Sequence, residues 1–166
     1  MVHNTHFAQY IPPTVFHPVT GTFTWTAGQV AGTIAMHRAA ADQTSVITIP
    51  ITIPGNSVAL QGAKLTSIEV DYENLVAEAT SFTWTLNKVT RGADTAVAVV
   101  AAVTKTDAIA AADSHSVDQH KQVITITTPE WVDNDVYYLL QISIVAGAGG
   151  GTQDFLGAVA NFTLRA

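Results

Sequence analysis

Apolar and polar residues alternate with period two along most of the chain. Ile47, Ile49, Ile51 and Ile53 are separated by Thr48, Pro50 and Thr52. Ile68, Val70 and Tyr72 interleave with Ser67, Glu69 and Asp71, and Phe82, Trp84 and Leu86 with Thr83, Thr85 and Asn87. Val123 to Thr128 follows the same rule, as do Tyr138, Leu140, Ile142 and Ile144, and then Leu156, Ala158, Ala160, Phe162 and Leu164. A strand projects successive side chains to opposite faces, so each run predicts a strand with one face buried. Pro50 places its strand at a sheet edge or a bulge, because proline has no N–H for a second neighbour. Thr22–Thr26 and a weaker segment at 31–37 are further candidates, and 96–104 reads as a strand followed by a turn or short helix over 107–112.

Between the runs lie turn signals: Pro54-Gly55-Asn56, Arg91 to Asp94, Asp133-Asn134-Asp135 and Gly147 to Gly151. About eight strands without a helical period predict an all-β fold, a single antiparallel β-sandwich of jelly-roll type. No repeat or linker divides residues 21–166. Residues 1–20 read as an extended N-terminal arm, since Pro12, Pro13 and Pro18 bias their neighbours toward extended backbone. The arm's apolar residues, Phe7, Tyr10, Ile11, Val15 and Phe16, are the candidate partner contacts. Such an arm lies either on its own sheet or on a neighbouring subunit.

Composition sharpens this picture. Hydrophobic residues are 48% of the 166 positions and charged residues only 12%, about half the usual share of charge. Either neutral polar residues, threonine above all, cover the surface, or other chains do. The net charge of −6 and the scattering of seven basic residues argue against a nucleic-acid partner, which needs clustered cations. There is no cysteine, hence no disulfide framework or thiolate chemistry. The start of the chain lacks a secretory signal, and no apolar run approaches the ~20 residues that span a bilayer. Synthesis in a cytoplasm, with no membrane contact, is the expectation.

Candidate chemistry is sparse. His115 and His120, with Asp113 and Asp118, form the densest group of possible metal ligands, but a second pair at matching spacing is missing and a solvated loop with Asp118 capping a turn accounts for them. Asp133-Asn134-Asp135 resembles the opening of a calcium loop without its glycine, and a tight turn explains it. His3, His6 and His17 sit in the arm. Glu69, Asp71 and Glu73 share one strand face and read as a hydrated acidic stripe rather than an acid–base pair. No serine has a nucleophile-elbow context, and Gly147 to Gly151 lacks the features of a phosphate loop. No catalytic residue, cofactor or metal site is therefore assigned. Among the aromatics, Trp84 is in phase with core residues, while Trp131 and Tyr137 are candidates for stacking on a sugar.

The run Thr128-Pro129-Glu130-Trp131-Val132-Asp133-Asn134-Asp135-Val136-Tyr137-Tyr138-Leu139-Leu140, the strand from Leu156 to Leu164, the Ile-Pro-Ile stretch and Ser67 to Glu73 together resemble small β-sandwich virion proteins of tailed phages, over residues 45–165. That resemblance implies a capsid decoration (cement) protein, a homotrimer clamped on the major capsid protein or other virion subunits and located in the virion. It supplies no catalytic residues. The alternative from a different class is a carbohydrate- or receptor-binding module of a fibre or baseplate.

Overall fold

The computed structural model describes residues 4–28, 32–39, 44–54, 62–92, 97–132, 135–145, 147 and 151–165. The expected turns at 55–56, 93–94, 133–134 and 148–150 lie outside the described residues, as does His3. The described residues form twelve strands: β1 (Asn4–Ile11), β2 (His17–Thr20), β3 (Phe23–Ala27), β4 (Ile34–Arg38), β5 (Ser45–Thr52), β6 (Ala63–Leu75), β7 (Ser81–Thr90), β8 (Val99–Ala102), β9 (Lys105–Asp107), β10 (Gln119–Ile126), β11 (Val136–Val145) and β12 (Thr152–Arg165). A 3₁₀ turn, Pro13–Val15, links β1 to β2.

The strands make two antiparallel sheets. One runs β3-β4-β12-β6-β10-β9, with β1 also paired to β12; the other runs β2-β5-β11-β7-β8. Without β1, β2, β3 and β9 the orders reduce to β4-β12-β6-β10 and β5-β11-β7-β8, the two four-stranded layers of a jelly roll. The expected fold class is thus the observed one; the predicted runs from 31–37 to 156–164 fall on framework strands, whereas the run at Thr22–Thr26 is β3, outside the framework.

The core lies between the layers. Ile47, Ile49 and Ile51 of β5, Phe82, Trp84 and Leu86 of β7 and Tyr138, Leu140, Ile142 and Ile144 of β11 face Ile68, Val70 and Tyr72 of β6, Ile124 of β10 and Ala158, Ala160 and Phe162 of β12. These are the alternating apolar positions of the sequence, with their threonine neighbours directed outward. β2 reaches along β5 only to Thr48, so β5 is itself an edge at Pro50, the setting that tolerates a residue without an amide donor. Of the stretch 96–104, the described residues 97–104 supply β8, Val99–Ala102, and 107–112 contains no helix: β9 ends at Asp107 and turns follow.

Two expectations are corrected. Of the two placements open to the N-terminal arm, its own sheets are the observed one, β1 lying antiparallel on β12 from Asn4 opposite Arg165 to Ile11 opposite Ala158 and β2 joining the other sheet; the first correction concerns two of its contacts. Ile11 and Phe16, read as partner contacts, are 4% and 3% exposed within the chain's own core. The edge of β12 left open beyond β4 takes β1, and the turn at Pro13 tucks Phe16 under the layers. Phe7, Tyr10 and Val15 stay exposed.

The second correction is a phase slip in β12. The alternation groups Leu156 with the inward residues, but Phe155 is the fully buried one and Leu156 turns outward. The pairing with β6 shifts register between Phe155 and Gly157. Gly157 has φ 146°, a conformation that side chains disfavour and glycine accepts. This bulge inverts the phase for the residues before it.

Candidate functional site

The bulge lies where β12 changes neighbour. Along one edge, Gln153 to Phe155 pair with β4 and Ala158 to Arg165 pair with β1. Leu156 and Gly157 fall in the gap between the two, and the chain above them is Pro12-Pro13-Thr14. The result is a cleft of about 530 Å³ on the outer face of the larger sheet. Its apolar wall is Tyr10, Ile34 and Leu156, and its polar wall is Glu73 with Gln119. Thr14 and Thr33 add hydroxyls at the rim.

Tyr10 is 62% exposed. Its ring lies against Gly157, where an added Cβ would stand 2.8 Å from the phenol oxygen and 2.9 Å from a ring carbon. Its hydroxyl donates to the Leu156 carbonyl at 3.3 Å. The glycine therefore lets the ring settle on the backbone and leaves its other side open. Glu73 and Gln119 are cross-strand neighbours on β6 and β10, so a carboxylate and an amide stand together at the opposite wall. Beyond Glu73, on β12, Asp154 lies 2.5 Å from Nδ1 of His37. Among the described residues the cleft lining contains no lysine or arginine. Hydroxyl donors find a carboxylate and an amide there.

The other residues of the acidic stripe are half-buried rather than fully hydrated. Glu69 accepts from Asn161 Nδ2 at 3.1 Å, and Lys121 Nζ lies 3.5 Å from Glu69 and 3.9 Å from Asp71.

The loop with His115 and His120 serves the fold. The Ser114 carbonyl accepts from Tyr72 Oη at 2.6 Å and Asn74 Nδ2 at 3.2 Å. The Ser116 carbonyl accepts from Asn74 Nδ2 and His120 Nε2, both at 2.9 Å. Asp118 Oδ1 accepts from the Gln119 amide at the start of β10, the turn cap expected of it. Among the described residues no three His, Asp or Glu side chains gather as a metal site. Tyr72 sits among Phe82, Trp84, Phe155 and His120 at centroid separations of 5.2–6.0 Å, and burial raises its phenol pKa far above the ordinary value. Tyr138 is pushed up to about 12 by burial and, secondarily, by Glu130.

Trp84 is core, as its phase predicts, and the two aromatics expected to stack on a sugar are each partly covered. Trp131 is partly exposed, but Lys64 Nζ lies 5.2 Å from its ring centroid, a cation–π contact that occupies one face. Tyr137 is half-buried beside Ile53 and Arg91 in a smaller cleft. The sequence reading missed Ile34, Gln119 and the outward Leu156. One signal for them was present: a lone glycine inside a strand pattern marks a bulge or a close approach of other atoms.

The structure thus defines a jelly-roll β-sandwich with a ligand-sized cleft at a strand junction. No protein-family model and no curated protein matches the chain. Solved structures similar to it include an arabinose-bound α-L-arabinofuranosidase, MgGH51 (TM-score 0.45, 8% identity, 92% of this chain and 24% of that one). Another holds the CBM22-1–GH10 modules of Clostridium thermocellum endo-1,4-β-D-xylanase 10B complexed with xylohexaose (TM-score 0.45, 8% identity, 93% and 27%). A third is CBM28, a carbohydrate-binding module specific for non-crystalline cellulose (TM-score 0.32, 9% identity, 89% and 85%). The chain spans about a quarter of the length of the first two proteins. Likeness of this degree says nothing about what this chain binds.

Proposed function

We propose that the chain is a non-catalytic recognition domain whose cleft at the β1–β4 junction binds a neutral carbohydrate. The observation that carries this reading is the pairing, across one cleft of about 530 Å³, of an exposed tyrosine ring with a carboxylate and an amide. A pyranose presents an apolar face of C–H groups and an edge of hydroxyls. A tyrosine ring backed by aliphatic side chains suits the first, and Glu73 with Gln119 suits the second. The volume accommodates one or two sugar rings. A described lining without lysine or arginine favours a neutral sugar over a phosphorylated or sulfated one. Screening on a glycan array tests this: retention of uncharged glycans that falls at least tenfold in Tyr10→Ala supports it, and retention unchanged in that variant refutes it.

A second reading, the virion decoration protein suggested by strand texture, draws on one observation. Phe7, Tyr10 and Val15 remain on the surface although they lie in a segment otherwise committed to the fold. Co-sedimentation with capsid shells that is lost in a Phe7→Ala, Val15→Ser variant, with glycan retention intact, would favour it over the first.

A further inference from the structure

The polar wall of the cleft does not stop at Glu73. Glu73 is paired with Gln119 on one side and with Asp154 on the other. Asp154 is paired with His37 of β4, and His37 with Thr24 of β3. Five adjacent strands thus place one polar residue each in a single row across the outer face of the larger sheet. Their neighbours Met36 and Phe155 point the other way, into the core. Strands lie ~4.8 Å apart, so the row from Gln119 to Thr24 is about 19 Å long, far more than one sugar ring. The cleft covers only its Glu73–Gln119 end.

Within the row, Asp154 and His37 form a fixed pair. Their side chains are 10% and 25% exposed, with 2.5 Å between Oδ1 and Nδ1. The carboxylate holds the proton of the neutral ring on Nδ1 and leaves Nε2 as the acceptor. Among the described residues Nε2 has no hydrogen-bond partner, and it is not among the buried polar atoms left unpaired. The charged groups facing the ring are Asp154 and, one strand further, Glu73; β3 contributes the uncharged Thr24, and Arg38 projects to the buried side. The contact that ties β4 to β12 therefore also holds an acceptor nitrogen at a set angle on the surface, the support that a recognition group requires.

We propose that this row is a second subsite of the cleft and that the ligand is an extended, uncharged oligosaccharide rather than a single terminal sugar. One end is seated against Tyr10, Glu73 and Gln119, and the following units cross Asp154 to reach His37 Nε2 and the Thr24 hydroxyl. The inference rests on the carbohydrate reading of the cleft and adds the length and direction of the ligand. A chain is what the row selects, because its hydroxyls recur along its length as the polar groups recur from strand to strand. A single sugar held at Tyr10 cannot also reach His37, two strands away from Glu73. Asp154 acts through His37, as a positioning residue.

Isothermal titration calorimetry of the whole chain tests it, with uncharged gluco- (α- and β-1,4-linked), xylo- and manno-oligosaccharides of two and six units. The expected result is a six-unit ligand bound at least tenfold more tightly than the two-unit ligand of its series. His37→Phe, which keeps a ring in place, removes that advantage and leaves two-unit affinity unchanged. Thr24→Val, isosteric and on an exposed position, weakens six-unit binding roughly threefold through one lost hydrogen bond. Tyr10→Ala weakens both lengths. Equal affinity for the two lengths, or a six-unit advantage that survives both His37→Phe and Thr24→Val, overturns the inference while the carbohydrate reading stands. So does a His37→Phe variant that weakens both lengths alike while Thr24→Val has no effect. No binding of any member, or binding indifferent to Tyr10→Ala, overturns the carbohydrate reading, and the inference falls with it.

Discussion

One edge of β12 serves two neighbours, and its two ends are built in opposite ways. At the β4 end, Arg38 is almost completely buried. Its Nε donates to Ser45 Oγ at 2.9 Å, and Nη1 donates to Gln153 Oε1 at 2.7 Å and to the Gly151 carbonyl at 3.2 Å. That knot ties β4, β5 and the approach to β12 together, and burial lowers the pKa of the guanidinium it encloses. At the β1 end, past the Gly157 bulge, the polar groups are on the outer face and Tyr10 lies over bare backbone. The first end turns its hydrogen-bonding groups inward, where Arg38 holds Ser45, Gln153 and Gly151. The second lines a cleft with a carboxylate, an amide and a ring. A fold whose frame is held by the one can present the other to a ligand without unravelling.

Substitutions should separate the two ends by the size of their effect on stability. Arg38→Ala strips partners from Ser45, Gln153 and Gly151 and opens a cavity, and it is expected to cost roughly 3–5 kcal/mol, read as a large fall in the urea midpoint. If that midpoint barely moves, the β4 end is not the frame. Gly157→Ala combines an unfavourable backbone conformation with the clash against Tyr10 and should cost about 1–3 kcal/mol. It alone is expected to lower both stability and glycan retention, because it sits at the boundary. Tyr72→Phe removes the hydrogen bond to Ser114 while keeping the ring packing, and the expected cost is about 1 kcal/mol, with the cleft unaffected.

The buried tyrosines give a pH signature of the frame. The Tyr72 and Tyr138 phenols have raised pKa values in the folded chain. Between their unfolded value near 10 and the folded values, the unfolded chain releases protons that the folded chain keeps. Stability should therefore hold below about pH 10 and fall as pH rises above it. Tyr138→Phe should flatten part of that fall, as thermal melts across pH 9 to 12 would show. The smallest effect on folding belongs to Tyr10→Ala, expected within about 1 kcal/mol for so exposed a side chain, even though it abolishes the proposed stacking.

The same contrast explains what was legible in the sequence. The frame was readable because a sheet with one wet face writes its burial as alternation: Ile47, Ile49 and Ile51, Phe82, Trp84 and Leu86, and Tyr138, Leu140, Ile142 and Ile144 all proved to be core. The cleft was not readable by that rule. It depends on a glycine bulge that inverts the phase, so Leu156 looked like core. It also depends on β1 pairing with β12 across almost the whole length of the chain, which local pattern cannot reveal. The arm's proline-rich texture suggested an extended segment, and the backbone is extended, but nothing local marked Ile11 and Phe16 as the members that turn inward. Arg38 gave no sign either, since its partners Gly151 and Gln153 are over a hundred residues away.

The most direct test is a heteronuclear NMR titration of the whole chain with an uncharged oligosaccharide chosen from array hits. The account predicts saturable shifts concentrated at Tyr10, Ile34, Gln119, Leu156 and Gly157, with β8 and the Arg38 knot undisturbed. Shifts centred on Trp131 or Tyr137, or none at any concentration, would contradict it.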